Sequence, residues 1–423
     1  MSESVHTLPG PDDITRTTLK NGITVLVRSN DNSPSVFING FLPVGSLFDS
    51  DTKLGLADFT ASALMRGTTH RDFQQIYNDL ESIGASLGFG GGTHSTSFSG
   101  KALSEDLDLL LQLVSEALRV PLFPSEHIER LRAIHLTGLA IRAQDTEEMA
   151  SLTLDKIIYK DHPYSRPDDG YPETISEITQ MEIAAFHKKH YGPRNMVIVV
   201  VGAVDPQQVI EKIDGYLGDW NNPLQPDPPD LPKLHHLEKT IIKKCTISGK
   251  SQSDIVIGVP GPERRAQDFL AAAIGNNILG QFGLFGRIGE VVREKAGLAY
   301  YAYSSLNGGV GPGPWSVSAG VDPENIARIV ELIENEIKRI TREMVSKNEL
   351  ENSQANFIGR LPLSLESNAG VAGALINLER FDLGLDYYQR YPDLIRAITQ
   401  EDILLAVNNY IDPNRLGIAV AGP

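Results

Sequence analysis

Asp58 and Ser62 lie four residues apart in Gly55-Leu-Ala-Asp-Phe-Thr-Ala-Ser-Ala-Leu-Met-Arg-Gly67, a run whose apolar body reads as a helix. Residues at i and i+4 share one helix face, so both side chains could approach a single metal ion. The chemistry stops short of a zinc centre. A carboxylate binds zinc, but a neutral Ser hydroxyl is a poor ligand, and Ala61 beside them cannot take a proton from a metal-bound water. A missing general base costs about 10²–10⁴ in rate, and a missing metal removes the nucleophile itself.

Other residues of reactive type are read more plainly. His187 and His190 sit three apart on a helix and could be ligands, but a basic surface face is the better expectation. Cys245 lies in a strand-like run beside Ile247 and reads as a small packed residue rather than a nucleophile. In Leu279–Tyr300, Gly297 is placed to end a helix, with Arg293 in its last turn, where the helix dipole favours a cation, and Tyr300 at the start of the next strand. Gly280, Gly283, Gly286 and Gly289 form no phosphate cradle, because neither G-K-[ST] nor G-x-G-x-x-G after a strand is present. They suit a loop that passes close to a peptide backbone.

The elements that position these residues are written twice. Tyr171-Pro-Glu-Thr-Ile-Ser-Glu-Ile-Thr-Gln-Met-Glu-Ile183 recurs as Tyr391-Pro-Asp-Leu-Ile-Arg-Ala-Ile-Thr-Gln-Glu-Asp-Ile403, an offset of 391 − 171 = 220 with seven identities. Each copy leads through a helix to a Tyr and a Pro, then to a strand ending in Gly202 or Gly422. A long fixed offset implies two homologous domains rather than a short-period solenoid. Between them, residues 222–232 hold five prolines in eleven positions, which block helices and central strands and mark a linker. Apolar runs predict strands at Ile23–Val27, Val36–Leu42, Met196–Val201 and Ile255–Val259. Isoleucines at helical spacing predict a helix over 325–340 behind an Asp322-Pro323 start, and Asp205-Pro206 opens another. The expected class is α+β, present twice.

The framework of residues 55–67, with its Gly-Leu-Ala entry and Met-Arg-Gly-Thr exit, resembles the zinc helix of the pitrilysin or insulinase family, the inverzincin peptidases. Phe186-His-Lys-Lys-His-Tyr-Gly-Pro-Arg-Asn-Met196 and the stretch 279–300 are similar to that family too, and the likeness runs from Thr18 to Pro423. The family motif is H-x-x-E-H, and here its positions hold Asp58, Ala61 and Ser62. The family's third ligand is a Glu on a later helix. This chain has the matching run Ser125–Asp145 but no Glu between Glu129 and Glu147. His135 lies near the expected place, which leaves a cryptic Asp58/His135 metal site as a minor reading.

The resemblance implies a processing-peptidase-like fold, with each domain a mainly antiparallel sheet packed against helices. The domains fall at 1–221 and 237–423, joined by the Pro-rich linker 222–236. It also implies a role for Arg293 and Tyr300, which match the family's Arg-x₆-Tyr pair: holding a substrate backbone and donating hydrogen bonds to the oxyanion formed as water attacks. The expected function is that of a non-catalytic subunit, inactive alone and carrying no metal. It would supply Arg293 and Tyr300 to a homologous zinc-binding partner that hydrolyses peptides or unfolded polypeptide. A homodimer is possible as well. The alternative is a peptide-binding or assembly protein without catalytic role, using an edge strand such as Gly92–Gly100 to pair with peptide backbone.

Bulk properties agree with this class. The 423 residues are enough for two cores, and 41% hydrophobic with 22% charged residues is ordinary for a globular protein. A formal charge of −16 disfavours nucleic acid and anionic membranes as partners. No apolar run approaches the roughly 18 residues of a membrane span, and residues 1–13 lack the h-region of a secretion signal. With a single cysteine, no internal disulfide forms, and a cytoplasmic location is expected.

Overall fold

The computed structural model describes residues 8–281 and 286–423. The first sheet contains β1 (Thr15–Thr18), β2 (Thr24–Ser29), β3 (Ser35–Leu42), β4 (Ser86–Gly91), β5 (Thr96–Leu103) and β6 (Val197–Gly202), in the order β1-β2-β6-β3-β5-β4. The second contains β7 (Ile241–Thr246), β8 (Ser253–Pro260), β9 (Ala299–Gly308), β10 (Pro312–Val321) and β11 (Gly417–Gly422), in the order β7-β11-β8-β10-β9. Only β2/β6 in the first sheet and β7/β11 in the second run parallel. With β1 set aside, the two sheets repeat one topology, as the 220-residue repeat requires.

Helices of the first half are α1 (Leu56–Ala63), α2 (Phe73–Ser82), α3 (Leu107–Arg119), α4 (Ser125–Arg142), α5 (Thr146–Ile158), α6 (Pro172–Glu177), α7 (Gln180–His190) and α8 (Pro206–Leu217). Those of the second are α9 (Phe269–Asn276), α10 (Ile326–Ile340), α11 (Lys347–Ser364), α12 (Asn368–Arg380), α13 (Tyr387–Arg396) and α14 (Gln400–Tyr410). The repeated Thr-Gln segments start α7 and α14. Thr179 with Glu182 and Thr399 with Asp402 close the same reciprocal N-terminal cap. Asp205 and Asp322 accept hydrogen bonds from the first turns that they precede.

Two compact units emerge, and each draws on both halves of the sequence. One consists of residues up to Thr137, Pro167–Asp230 and Leu361–Arg390; the other of Gly138–Arg166, Leu231–Arg360 and Tyr391–Pro423. The reason lies in the strands. β6, β8 and β11 are buried along their whole length, so both of their faces need cover. In the second unit, Ile255, Ile257, Ile418 and Val420 face a core built by α9, α10 and α14. Val256, Ala419 and Ala421 face a second core built by Ala150, Leu154, Ile157 and Ile158 of α5. In the first unit, α12 packs in the same way on β3 and β6.

The residues expected to form an edge strand, 92–100, do not lie at an edge. Thr96–Gly100 belongs to β5, which pairs with β3 on one side and β4 on the other, and β4 is the edge. The polar alternation of this run arises because one face of β5 is buried and the other exposed, and both patterns look alike in sequence.

Candidate functional site

Helix α1 carries Asp58, Ala61 and Ser62, and a buried carboxylate outside the helix anchors its start. Asp49 accepts hydrogen bonds from the backbone N–H groups of Gly55 at 2.9 Å and Ala57 at 3.0 Å. An acidic group at a helix N-terminus satisfies donors that would otherwise be orphaned and is favoured by the dipole. Sequence reasoning missed Asp49, because it lies six residues before Gly55, well outside any local capping pattern. Ala61 is buried and Ser62 half-buried.

Asp58 lies against the edge strand. A Cβ added at Gly91 of β4 would stand 2.5 Å from the Asp58 Cα, so only glycine lets strand and helix touch there. Burial, and then the charges of Asp169 and Asp168, raise the Asp58 carboxyl to about 6, against a backbone N–H of Gly91 that favours the ionised form. Asp168 itself accepts hydrogen bonds from the hydroxyls of Ser46 and Thr93.

His135 of α4 comes to Asp58, its Nδ1 lying 3.7 Å from Oδ2. That distance is too long for a hydrogen bond. The ring instead stacks on buried Phe59, with centroids 4.9 Å apart and planes inclined by 27°. Burial, reinforced by Arg66, lowers the His135 pKa against an opposing effect of Asp169, so the imidazole is neutral near pH 7. Phe59 also receives the Arg132 guanidinium, 5.5 Å from its centroid. The helix face that would hold a metal is therefore furnished with one carboxylate, a hydroxyl and a stacked imidazole. Among the described residues, no group of three or more His, Cys, Asp or Glu side chains is arranged to hold a metal ion. The residues present do not fit a catalytic zinc.

A carboxyl whose folded pKa stands above its unfolded value weakens the fold progressively as pH rises above the unfolded pKa, and in full above the folded one. Asp58→Asn keeps an acceptor for the Gly91 N–H and removes the charge. It is expected to raise stability by roughly 1–2 kcal/mol at pH 7.5 and to give almost no gain at about pH 3, below the unfolded value. Urea unfolding at the two pH values checks this, and equal effects at both would count against the assignment.

Arg293 and Tyr300 lie in the second unit. Arg293 belongs to the wide helical turn Gly289–Lys295, which Gly297 ends at φ 65°. The Gly297 N–H returns to the Arg293 carbonyl at 3.1 Å. Gly280 and Gly286 lie against each other, whereas Gly283 falls outside the described residues. In the ladder of β9 with β10, Gly320 pairs with Tyr301 and Val321 with Ala299, leaving Tyr300 as the extra residue of a bulge. A bulge re-aims the side chain that it inserts, and Tyr300 is 83% exposed. Arg293 is exposed as well. The neighbouring tyrosines are engaged: Tyr301 donates to Asp254 at 2.5 Å and Tyr303 to Glu147 at 2.6 Å.

His187 and His190 are not the basic surface face that their spacing suggested. His190 is buried between Phe48 and Phe186, and His187 has Nε2 at 2.9 Å from the Leu118 carbonyl. Burial holds both imidazoles down at about 4. A base whose folded pKa lies below its unfolded value near 6.5 takes up a proton on unfolding, so its stabilising effect is whole above pH 6.5 and is lost toward pH 4. Tm followed by circular dichroism should fall across that window, and His190→Phe should flatten part of the slope. An identical slope in the variant would refute this origin.

Comparisons with known proteins fall on one family. Residues 24–168 match the family model described as insulinase (peptidase family M16), and residues 177–357 match the peptidase M16 inactive domain. An uncharacterized zinc protease of Mycobacterium tuberculosis (strain H37Rv) is 25% identical over 412 residues, covering 96% of this chain and 93% of the relative. One from Bacillus subtilis is 23% identical, covering 84% and 85%. A solved peptidase M16 inactive domain from Pseudomonas fluorescens superposes with a TM-score of 0.89 at 24% identity over 97% of this chain and 98% of that one. A protease from Helicobacter pylori gives 0.89 at 20% identity, covering 99% and 100%.

Proposed function

Because the chain belongs to the peptidase M16 (insulinase) family, and its own metal face is not furnished for zinc, we propose that it is the non-catalytic subunit of a two-chain zinc peptidase. The observation that carries this reading is an asymmetry within one chain. The helix that bears the zinc motif in the family has Asp58, Ala61 and Ser62, while a bulge presents Tyr300 to solvent and Arg293, seven residues before it, is exposed too. A chain without function would have no reason to hold a large aromatic ring in water on a bulged strand. Arg293 and Tyr300 serve the partner's active site, binding the substrate backbone and stabilising the oxyanion. The zinc and the general base belong to a homologous partner with an intact H-x-x-E-H, and the substrate is a peptide or unfolded polypeptide.

Co-expression with such a homologous chain tests the pairing directly. A stable one-to-one complex by size exclusion with light scattering is the expected result. Stoichiometric zinc in this chain purified alone, lost in Asp58→Ala, would overturn the division of labour. A stable complex whose hydrolysis owes nothing to this chain would favour an assembly role instead.

A further inference from the structure

Two wide helical turns flank the glycine-rich segment of the second unit. Asn277–Gln281 continues α9, and Gly289–Lys295 carries Arg293. Such i→i+5 turns are rare and concentrate at functional sites. The bonds that close the second turn are uneven, with the Ala296 N–H reaching Val291 and the Leu298 N–H reaching Val292, both at 3.2 Å. Those lengths are at the long end of the range, so the turn needs a fixed point outside itself.

Helix α11 supplies it. Glu349 and Ser353 stand four residues apart on one of its faces. Arg287, two residues before the turn, is buried and meets Glu349 with two prongs: Nε donates to Oε1 at 2.7 Å and Nη2 to Oε2 at 3.0 Å. Glu349 Oε2 also accepts the Ser346 N–H at 2.7 Å, which ties the carboxylate to the start of its own helix. Ahead of the glycines, buried Asn277 donates to Ser353 Oγ at 2.8 Å. The two flanks also lie on each other and on the next strand. A Cβ at Gly286 would stand 2.7 Å from the Gly280 Cα, and one at Gly280 would stand 2.7 Å from the Ser304 N of β9. The clamp therefore reaches both the turn that carries Arg293 and, through Gly280, the strand that carries Tyr300.

This seam serves stability poorly. Arg287 Nη1 and Asn277 Oδ1 are buried without a hydrogen-bond partner among the described residues. A buried ion pair with an orphaned donor stabilises less than apolar side chains of the same volume would, but a two-pronged Arg–carboxylate pair fixes angle as well as distance. Lysine would keep the charge and lose that angle. Burial opposes ionisation of Glu349, yet Arg287 and Ser346 outweigh it and bring the carboxyl down to about 2.

We infer that Arg287 is a positioning residue, locked on Glu349 so that Arg293 and Tyr300 are presented in one fixed geometry. The inference rests on the role proposed above for that pair. In the full chain alone, Arg287→Lys and Glu349→Gln should each speed amide hydrogen exchange in residues 289–297 about tenfold and leave exchange in α10 unchanged. Unchanged exchange in 289–297 would overturn the clamp, and so would equal acceleration in α10, the mark of general loosening. In complex with a homologous H-x-x-E-H chain, Arg287→Lys should lower kcat about 10–10²-fold, the effect of a misplacement of about 1 Å. It should cost nothing further once Arg293→Ala and Tyr300→Phe are in place, because residues that act through one another are not additive. The same loss in both backgrounds would overturn the positioning role. Hydrolysis indifferent to Arg293→Ala and Tyr300→Phe would refute the reading above, while faster exchange in Arg287→Lys would still uphold the clamp.

Discussion

Mixed with a homologous chain bearing an intact H-x-x-E-H, this protein is expected to raise peptide hydrolysis well above that of either chain alone, and Arg293→Ala or Tyr300→Phe to remove about 10²–10³ of that gain. The magnitude is that of losing a donor aimed at charge that develops in the transition state. Tyr300→Phe is the sharper variant. The ring is exposed and sits on a bulge, so deleting its hydroxyl should leave Tm unchanged, and a rate loss cannot be assigned to unfolding. The loss should fall on kcat more than on KM, since an oxyanion contact is made only in the transition state. Full activity in the partner alone, or an unaffected rate in both variants, would refute the supply of these residues in trans.

Residues 1–230 and 231–423, expressed separately, should each fail to give a cooperative thermal transition, and co-expression should restore one. The cut lies in the Pro-rich linker, the place where the sequence invites it. Yet the fragment 231–423 loses α5, whose Leu154, Ile157 and Ile158, together with Tyr159 just beyond it, are almost fully buried in the second unit. At about 1.5–3 kcal/mol per buried large side chain, their removal costs roughly 6–12 kcal/mol, as much as the whole stability of an ordinary domain. The fragment 1–230 likewise loses α12 from β3 and β6. Leu154→Ala in the intact chain should cost about 2–5 kcal/mol, which separates the packing contribution from the effect of chain cleavage. Two independently folding halves, each with a sharp transition, would refute the reciprocal exchange of helices.

Local signals were legible wherever the physics is local. The strands at 24–29, 35–42, 197–202 and 253–260 follow their apolar runs, and the Asp-Pro starts of two helices follow from capping chemistry. That Asp58, Ala61 and Ser62 stand at the positions of H-x-x-E-H is likewise a matter of residue type at helical spacing. Histidine exposure was not legible. His187 and His190 stand beside Lys188 and Lys189, and the sequence cannot show that Phe48 and the Leu118 carbonyl come from elsewhere to cover them. The edge of the first sheet escaped for the same reason, since hydrogen-bond partners, not side-chain pattern, decide which strand is last.

By itself the sequence determined that the fold is a duplication, that its class is α+β and that the positions of the family's zinc motif hold Asp58, Ala61 and Ser62. These follow from an offset, a period and the valence of side-chain atoms, none of which needs three dimensions. Only the tertiary structure decided that α5 and α12 each serve a sheet from the other half, that His135 stacks on Phe59 within 3.7 Å of Asp58, and that a bulge carries Tyr300 outward. Each of those depends on which surfaces meet across more than fifty residues, or on the register of a ladder. Burial and register are set by the whole chain's competition to cover its apolar strands, not by any segment's own preference.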